Sequence, residues 1–448
     1  GYKAEVESGI KIEEESEIKK NFALSKKGKK GYFEEIEDIF KSSAERRKAK
    51  DYLDQFETFW YNQNTPERVK EIIIELSDFL YDKRASAYPN YHLMLTTFQA
   101  FVENDQINEG FSNWYEGISN MTGQRGFSLR HLNDLLKNTR NILTKQKIYS
   151  TRSVDWFSRS PEYKFIYTND SLKLSVEDTR LVCYVRDDSL TIYNTRGTLN
   201  MINGHWQGEK GKITWEQHDF ERNKAYALFD EYALDMEQSD LTIENVTFYN
   251  TIYFSAPLKG RLEHKIRPVR RAAGSNYPKF KSYEQVFSIR NIHPGMHYKG
   301  GFSQYGAKFR GSGTNEDPAT ITIERDDSVF ITAESLVFAL REDEIVSRNT
   351  QVTMHLDTGK IEHPGLEFKY SAPSKELYLI RSGEGISQSP FFDTYHNISI
   401  DSEIIYWSLD DNQMELRRLP GAARNYAFFE SLSYFRETFY RKLKGMDA

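Results

Sequence analysis

The sequence contains one cysteine, no long apolar run and no surplus of basic residues. A lone Cys183 can form neither an intrachain disulfide nor a cysteine-based metal cluster. No apolar stretch approaches the roughly 18 residues that a membrane-spanning helix needs, so we predict no transmembrane helix. The net charge of −6 argues against general nucleic-acid affinity, which requires a face rich in Lys and Arg.

Common nucleotide and metal motifs are missing as well. The chain has neither a phosphate loop nor a Gly-x-Gly-x-x-Gly pattern, so Gly300-Gly301 and Gly311-Ser312-Gly313 are predicted to permit tight turns or bulges. His293 and His297 are four residues apart, but Pro294-Gly295 excludes the helix that would place both on one face. We therefore predict no metal site and no cofactor.

Length and composition indicate several domains and many strands. A chain of 448 residues exceeds the usual size of one core, and 28 Tyr with 29 Phe favour β-structure. Because the first residue is Gly1 and not Met, we expect any targeting peptide to have been removed. The predicted order is a charged arm (1–32), an α-helical domain (33–150), a repetitive β domain (151–420) and a closing C-terminal helix (421–448).

The helical domain is predicted from apolar residues at helical spacing. Val69, Ile72, Ile73 and Leu76 mark one such stripe, and Thr65-Pro66-Glu67 before it is a helix start signal. Further helices are expected over 92–102, 111–118 and 129–143. The domain is either an irregular bundle or a short helical repeat, and no second copy is found near a 34-residue spacing.

A repeated tripeptide marks the β domain. Asp-Ser-Leu or Asp-Ser-Val occurs at 170–172, 188–190 and 327–329, each time before an alternating apolar run. A turn pair followed by period-two hydrophobicity predicts a chain reversal and a new strand. The fold class is therefore α+β, with a β domain built as a jelly roll or a β-solenoid.

A second repeat is longer. His293-Pro294-Gly295-Met296-His297-Tyr298-Lys299 and the segment 363–369 share a His-Pro-Gly-apolar-x-aromatic-Lys pattern. Pro-Gly predicts a tight turn, and the residues after it predict a strand. We interpret the pair as a duplicated structural rung, with two matching functional loops as the alternative.

This strand-turn-strand pattern, most evident in the runs 329–338 and 343–356, resembles a known family. Residues from about 160 to 415 are similar to the β-jellyroll repeats that carry lipopolysaccharide in bacterial envelopes, and to large uncharacterised envelope proteins of the Bacteroidota. The resemblance implies a periplasmic or cell-surface location and an apolar groove between sheets. It carries over no individual site residues.

Positive charge is concentrated between residues 259 and 281, where Glu263 is the only acidic residue. Arginine and lysine side chains suit phosphate, sulfate or carboxylate groups. A solvated loop, or one that pairs with acidic residues elsewhere in the chain, is the alternative explanation for this segment. The candidate ligand-binding residues are Arg267, Arg270, Arg271, Lys279, Lys281, His297 and Tyr298.

These observations favour a non-enzymatic scaffold or binding protein of the bacterial envelope. Its partner would be an envelope protein or an anionic lipid or glycan, and not a nucleic acid. The alternative is a carbohydrate-active enzyme, a polysaccharide lyase or hydrolase, which would have to assemble groups such as His293, His297, Tyr298 and Arg310. A third possibility is that the helical domain docks peptides.

Overall fold

A computed structural model describes residues 28–160, 162–266, 275–419 and 427–432. These residues form two compact units. Unit 1 comprises the described residues up to Lys212 together with Asp230–Leu241. Unit 2 comprises Ile213–Phe229 and the described residues from Thr242 onward. Most of the predicted charged arm, and Arg267, Arg270 and Arg271, lie outside the described residues.

Among the described residues, unit 1 contains six α-helices before its first strand, as the helical periodicity predicted. They are α1 (Gly28–Lys41), α2 (Arg46–Tyr61), α3 (Glu67–Asp82), α4 (His92–Glu103), α5 (Glu109–Thr122) and α6 (Leu129–Lys145), with a π-helical turn at Ala87–Tyr91 before α4. Large aromatic side chains fill the core between them, including the fully buried Trp60, Phe98 and Trp114.

Side chains cap the N-termini of α5 and α6, whereas among the described residues no side chain caps α2, α3 or α4. The Ser128 side chain caps α6 and forms a capping box with His131. Helix α3 begins at Glu67 directly after Pro66, as expected. The Thr65 hydroxyl does not cap it, because this group donates instead to the Phe59 carbonyl at 2.8 Å.

The period of the apolar residues changes near Ser150, and so does the structure. The strands of unit 1 are β1 (Lys147–Ser150), β2 (Asp155–Ser158), β3 (Tyr163–Thr168), β4 (Ser171–Val185), β5 (Asp188–Asn200) and β6 (His205–Thr214), which ends in unit 2. β7 (Ala225–Asp235) and β8 (Asp240–Asn250) are divided between the two units. Helix α5 packs on this sheet at Gly117, where a Cβ atom would lie 3.0 Å from the Tyr167 ring.

Unit 2 consists mainly of antiparallel strands, which confirms a helical region followed by a large antiparallel sheet. The strands are β9 (Leu258–Lys265), β10 (Lys279–Ser282), β11 (Phe287–His293), β12 (Met296–Tyr305), β13 (Lys308–Ser312), β14 (Ala319–Arg325), β15 (Ser328–Ser335), β16 (Val337–Leu340), β17 (Glu344–His355), β18 (Lys360–Ser371), β19 (Glu376–Ile380), β20 (Phe391–Asp393), β21 (Ile398–Asp401), β22 (Ile404–Ser408), β23 (Met414–Arg417) and β24 (Phe428–Ser431).

Several strands change partners halfway along their length. In β12, residues 296–299 pair with β14, whereas residues 301–305 pair with β13. The change falls at Gly300-Gly301, where Gly300 has a φ of +151° that L side chains rarely adopt. These glycines therefore allow a bend in the strand, in line with their predicted structural role.

The Asp-Ser repeat opens a strand in all three places. Two copies follow tight turns in which both turn residues have positive φ, Asn169-Asp170 before β4 and Asp326-Asp327 before β15. The copy at 188–190 begins after its turn and not within it, because Asp188 already pairs with Val185 in the hairpin. The repeat therefore predicts strand starts correctly, but its copies are not structurally equivalent.

The His-Pro-Gly repeat adopts two different structures. Pro294-Gly295 forms the predicted turn between β11 and β12, with Gly295 at a φ of +71°. Pro364-Gly365 lies inside β18, where the pairing register with β17 is interrupted. The expected turn is therefore wrong for the second copy, in which Pro and Gly form a bulge instead.

The C-terminal helix expected over 421–448 is not seen in the described part of that stretch. Residues Phe428–Ser431 form β24, which pairs with β21, and the other residues of the stretch, apart from 427 and 432, lie outside the described ranges. None of the helices in the described ranges is long and apolar enough to span a membrane.

Candidate functional site

The best candidate site in unit 2 is built on strands β10, β12 and β13. Side chains within residues 215–218 hold Tyr277 and Pro278, the two residues that precede β10. The Trp215 Nε1–H donates to the Pro278 carbonyl at 3.2 Å, and the Gln217 amide donates to the Tyr277 carbonyl at 2.6 Å. His218 Nε2 also lies 2.6 Å from the Tyr277 carbonyl. These contacts hold the peptide that leads into Lys279.

Alternation along the three strands separates apolar from polar side chains. Phe280, Gln304 and Phe309 point into the core and are almost fully buried. Their neighbours therefore project from the opposite face of the sheet. On that face Lys281 pairs with Ser303, which pairs with Arg310.

Two residues further along the strands, Lys279 pairs with Tyr305 and Tyr305 with Lys308. Lys279, Lys281, Lys308 and Arg310 thus form a cationic quartet on one face. Among the described residues, no carboxylate lies within ion-pair distance of these four side chains. The neighbouring Arg261 differs, since its guanidinium contacts Glu244 and Glu263 at 3.3 Å each.

Tyr305 of β12 lies between Lys279 and Lys308. The Lys279 ammonium is 5.1 Å from the centroid of the Tyr305 ring, and the Arg310 guanidinium carbon is 4.7 Å from it. Lys279 also lies 4.5 Å from the Tyr277 ring. The attraction of cations to aromatic faces holds these long side chains in place.

A groove of about 290 Å³, the Lys281 groove, opens beside the quartet. Lys281, Tyr305 and Arg310 line it together with hydroxyl groups, two carboxylates and an apolar edge. The other lining side chains used below are Ser312, Thr314, Glu284, Asp317, Val286 and Val337. Gly301 lets the backbones approach here, because a Cβ atom would lie 2.8 Å from Ser312 Oγ.

The structure separates the candidate residues predicted from sequence. Lys279 and Lys281 belong to the quartet. Tyr298 projects into the core from the opposite face of β12, is 1% exposed and donates its hydroxyl to the Gly301 carbonyl. Burial raises its pKa. Tyr298 therefore supports the sheet and does not reach the surface that carries the quartet.

His297 lies on the same face as the quartet but near the other end of β12. Its Nε2 is 3.1 Å from Glu324 Oε2, and its Nδ1 accepts from the Asn291 backbone N–H at 3.1 Å. Six residues separate His297 from Ser303, the partner of Arg310, which corresponds to about 20 Å along a strand. The structure therefore does not bring His297, Tyr298 and Arg310 together.

Three further side chains that could take part in binding or chemistry are buried. Trp206 and Trp215 are fully buried, so neither ring is available for stacking on a sugar. Cys183 is buried in β4, and this burial raises its pKa to about 12. Within the described ranges, no three His, Cys, Asp or Glu side chains are grouped to hold a metal ion.

Sequence reasoning missed half of the quartet. Lys308 was not considered, and Arg310 was considered only as part of a catalytic group. A signal was present, since both Lys279-Phe280-Lys281 and Lys308-Phe309-Arg310 place an aromatic residue between two cations. That pattern is typical of a strand with one buried and one charged face. The pairing of the two strands through β12 could not be read from it.

Comparison with known proteins found no matching family model, curated protein or solved structure.

Proposed function

We propose that the protein is a non-enzymatic binding protein of the bacterial envelope whose cationic quartet and Lys281 groove bind an anionic ligand. One observation carries this proposal: four cations share one sheet face, and among the described residues none of them forms an ion pair, although Glu263 stands opposite Lys279 in β9. A local surplus of charge of one sign attracts ligands of the opposite sign. The extracytoplasmic location and the jelly-roll architecture rest on the strand pattern of residues 160–415.

The groove supplies more than charge. The Arg310 fork can donate two parallel hydrogen bonds to a carboxylate or sulfate. Ser312 adds a hydroxyl group that donates or accepts, and the partly exposed Tyr305 ring presents an apolar surface. A volume of about 290 Å³ is close to the lower end of small-molecule sites. This combination suits an anionic group carried on a sugar or a similar polar framework.

Titration calorimetry with a galacturonate tetrasaccharide tests the proposal directly. The methyl-esterified tetrasaccharide is the matched ligand control, because it has the same rings without the charges. We expect the acid form to bind and the ester to bind at least tenfold more weakly. Lys281→Gln with Arg310→Gln should lower affinity by roughly 10- to 100-fold, since partly exposed charge-assisted contacts contribute about 1 to 3 kcal/mol in total.

The matched protein control is Arg290→Gln with Arg348→Gln. Both arginines are exposed strand residues of unit 2 outside the groove, and their replacement removes the same total charge. This variant should keep the wild-type affinity. Equal losses in the two double variants would show that net charge, and not the groove, governs binding. The absence of binding by the acid tetrasaccharide would contradict the proposal.

A further inference from the structure

The spacing of the cationic quartet carries information about the shape of the ligand. Lys281 and Arg310 are separated by one intervening strand, β12, as are Lys279 and Lys308. Two strand spacings place the members of each pair about 10 Å apart at the backbone. The two pairs are offset by two residues, or about 7 Å along the strands. The backbone positions of the quartet therefore mark the four corners of a rectangle.

This arrangement fits several separated charges better than one compact anion. A single phosphate or sulfate group can contact only side chains that converge on it. The Lys279 ammonium and the Arg310 guanidinium both lean toward the Tyr305 ring, whereas Lys281 and Lys308 stand at the other two corners. An elongated ligand with charges about 10 Å apart, which is two strand spacings, would meet the two cations of a pair in succession.

The two carboxylates of the Lys281 groove restrict the charge density of the ligand. Glu284 and Asp317 line the groove beside Lys281 and Arg310. Each can accept hydrogen bonds from hydroxyl groups but repels a nearby anion. A chain with one charge per ring and several hydroxyls satisfies both requirements. A phosphodiester backbone or a dense layer of lipid phosphates would bring further negative charge against these carboxylates.

The lining also distinguishes a sugar chain from a lipid. Ser312 and Thr314 offer hydroxyl groups, while the exposed Val286 and Val337 form an apolar edge. Pyranose rings combine hydroxyl groups with apolar C–H faces and match such a mixed surface. The groove of about 290 Å³ is too small to bury acyl chains.

We propose that the ligand is a linear acidic polysaccharide that crosses β10, β12 and β13 and contacts both cation pairs of the quartet. This inference rests on the proposed anion-binding function and adds the class of ligand. Its central prediction is that affinity depends on chain length, because each further contact becomes intramolecular once the first is made.

The test uses the full chain and galacturonate oligomers of one, two, four and eight rings. We expect affinity to rise at least tenfold from the monosaccharide to the tetrasaccharide and then to level off. Two half-quartet variants, Lys281→Gln/Arg310→Gln and Lys279→Gln/Lys308→Gln, should each reduce that gain to less than threefold. The Arg290→Gln/Arg348→Gln variant should keep the full gain.

The possible results separate the two proposals. Equal affinity for the monosaccharide and the tetrasaccharide would overturn the polysaccharide inference but leave anion binding intact. The inference would also be overturned by tighter binding of a single-stranded DNA of equal charge. Capture by vesicles of phosphatidylcholine and phosphatidic acid that the tetrasaccharide cannot displace would have the same consequence. If no oligomer binds to the wild-type protein, both proposals fall.

Discussion

At the scale of single residues, the buried histidines of unit 2 distinguish structural from functional roles. His264 is 5% exposed, and its Nδ1 has no hydrogen-bond partner among the described residues. Burial, with a smaller contribution from the nearby His218, lowers its pKa to about 3. His264 is therefore neutral in the folded protein at neutral pH. The Tyr277 carbonyl can only accept, so His218 Nε2 carries the proton in their contact.

The low pKa of His264 predicts acid sensitivity. An unfolded histidine titrates near 6.5, so between about pH 6.5 and 3 the unfolded chain binds a proton that the folded chain does not. Stability is retained above this window and falls as the pH drops through it, by up to about 1.4 kcal/mol per pH unit. His264→Leu should reduce the slope of unfolding free energy against pH, measured by urea titration.

A matched replacement of the exposed His355 serves as the control. His355→Leu should leave the slope of the wild-type protein nearly unchanged. If His264→Leu also leaves it unchanged, His264 does not contribute to the acid sensitivity.

Residue burial was the part of the site least accessible to sequence reasoning. Tyr298 and Tyr305 occupy the same strand, and only the alternation of β12 assigns one to the core and the other to the quartet. The sequence predicts that alternate residues face opposite sides of the sheet, but it does not show which set faces the core. Lys279 and Lys281 could be predicted as exposed because lysine is rarely buried, whereas a tyrosine is compatible with either face.

At the scale of elements, turn chemistry was predictable where it is local. The Asp-Ser repeat marks strand starts because Asn and Asp tolerate positive φ in two-residue hairpin turns. The His-Pro-Gly repeat was less predictive, since a neighbouring strand determines whether Pro-Gly forms a turn or a bulge. In the second copy β17 continues past the motif and keeps β18 paired on both sides of Pro364-Gly365.

The copies of the Asp-Ser repeat differ in their position relative to the turn. Replacement of Asp by Gly should therefore have opposite effects on stability at Asp327 and Asp188. Asp327 has a φ of +59° in its turn, so Asp327→Gly should relieve backbone strain and stabilise the protein by about 0.5 to 1 kcal/mol. Asp188 lies in β5, and its carboxylate accepts from the Ser189 backbone N–H at 2.8 Å. Asp188→Gly should therefore destabilise the protein by about 1 kcal/mol.

Urea unfolding of the two variants measures both effects, and each variant serves as the control for the other. Both remove one aspartate and add one glycine, so charge and composition change equally. Shifts of the same sign would show that the positive φ of the turn does not control the outcome.

At the scale of the whole molecule, the change from helices to strands near residue 150 was predictable, but the division into units was not. Periodicity finds the switch because helices and strands repeat at different intervals. The units depend on contacts between distant segments. Residues 230–241 belong to unit 1 although Ile213–Phe229 before them belongs to unit 2. No local pattern in the sequence marks the points at which the chain passes from one unit to the other.

Within unit 1, Tyr232 connects this separate segment to the rest of the core. Its hydroxyl accepts from the Trp206 Nε1–H at 3.1 Å and lies 2.6 Å from the Thr195 hydroxyl. Its ring contacts β6 so closely that a Cβ atom on Gly208 would lie 2.2 Å away. Tyr232→Phe keeps the ring but leaves the buried indole N–H of Trp206 without this acceptor. We expect a loss of about 1 to 3 kcal/mol in unfolding free energy.

Tyr184→Phe removes the same single oxygen atom from an exposed position in β4 and should change stability by less than about 0.5 kcal/mol. Hydrogen exchange adds a local measurement, because amides of β5 and β6 should lose protection in Tyr232→Phe while those of the quartet strands change less. A uniform loss across both units would mean that they unfold as one cooperative body. Wild-type protection of β5 and β6 would mean that Tyr232 does not hold residues 230–241 in place.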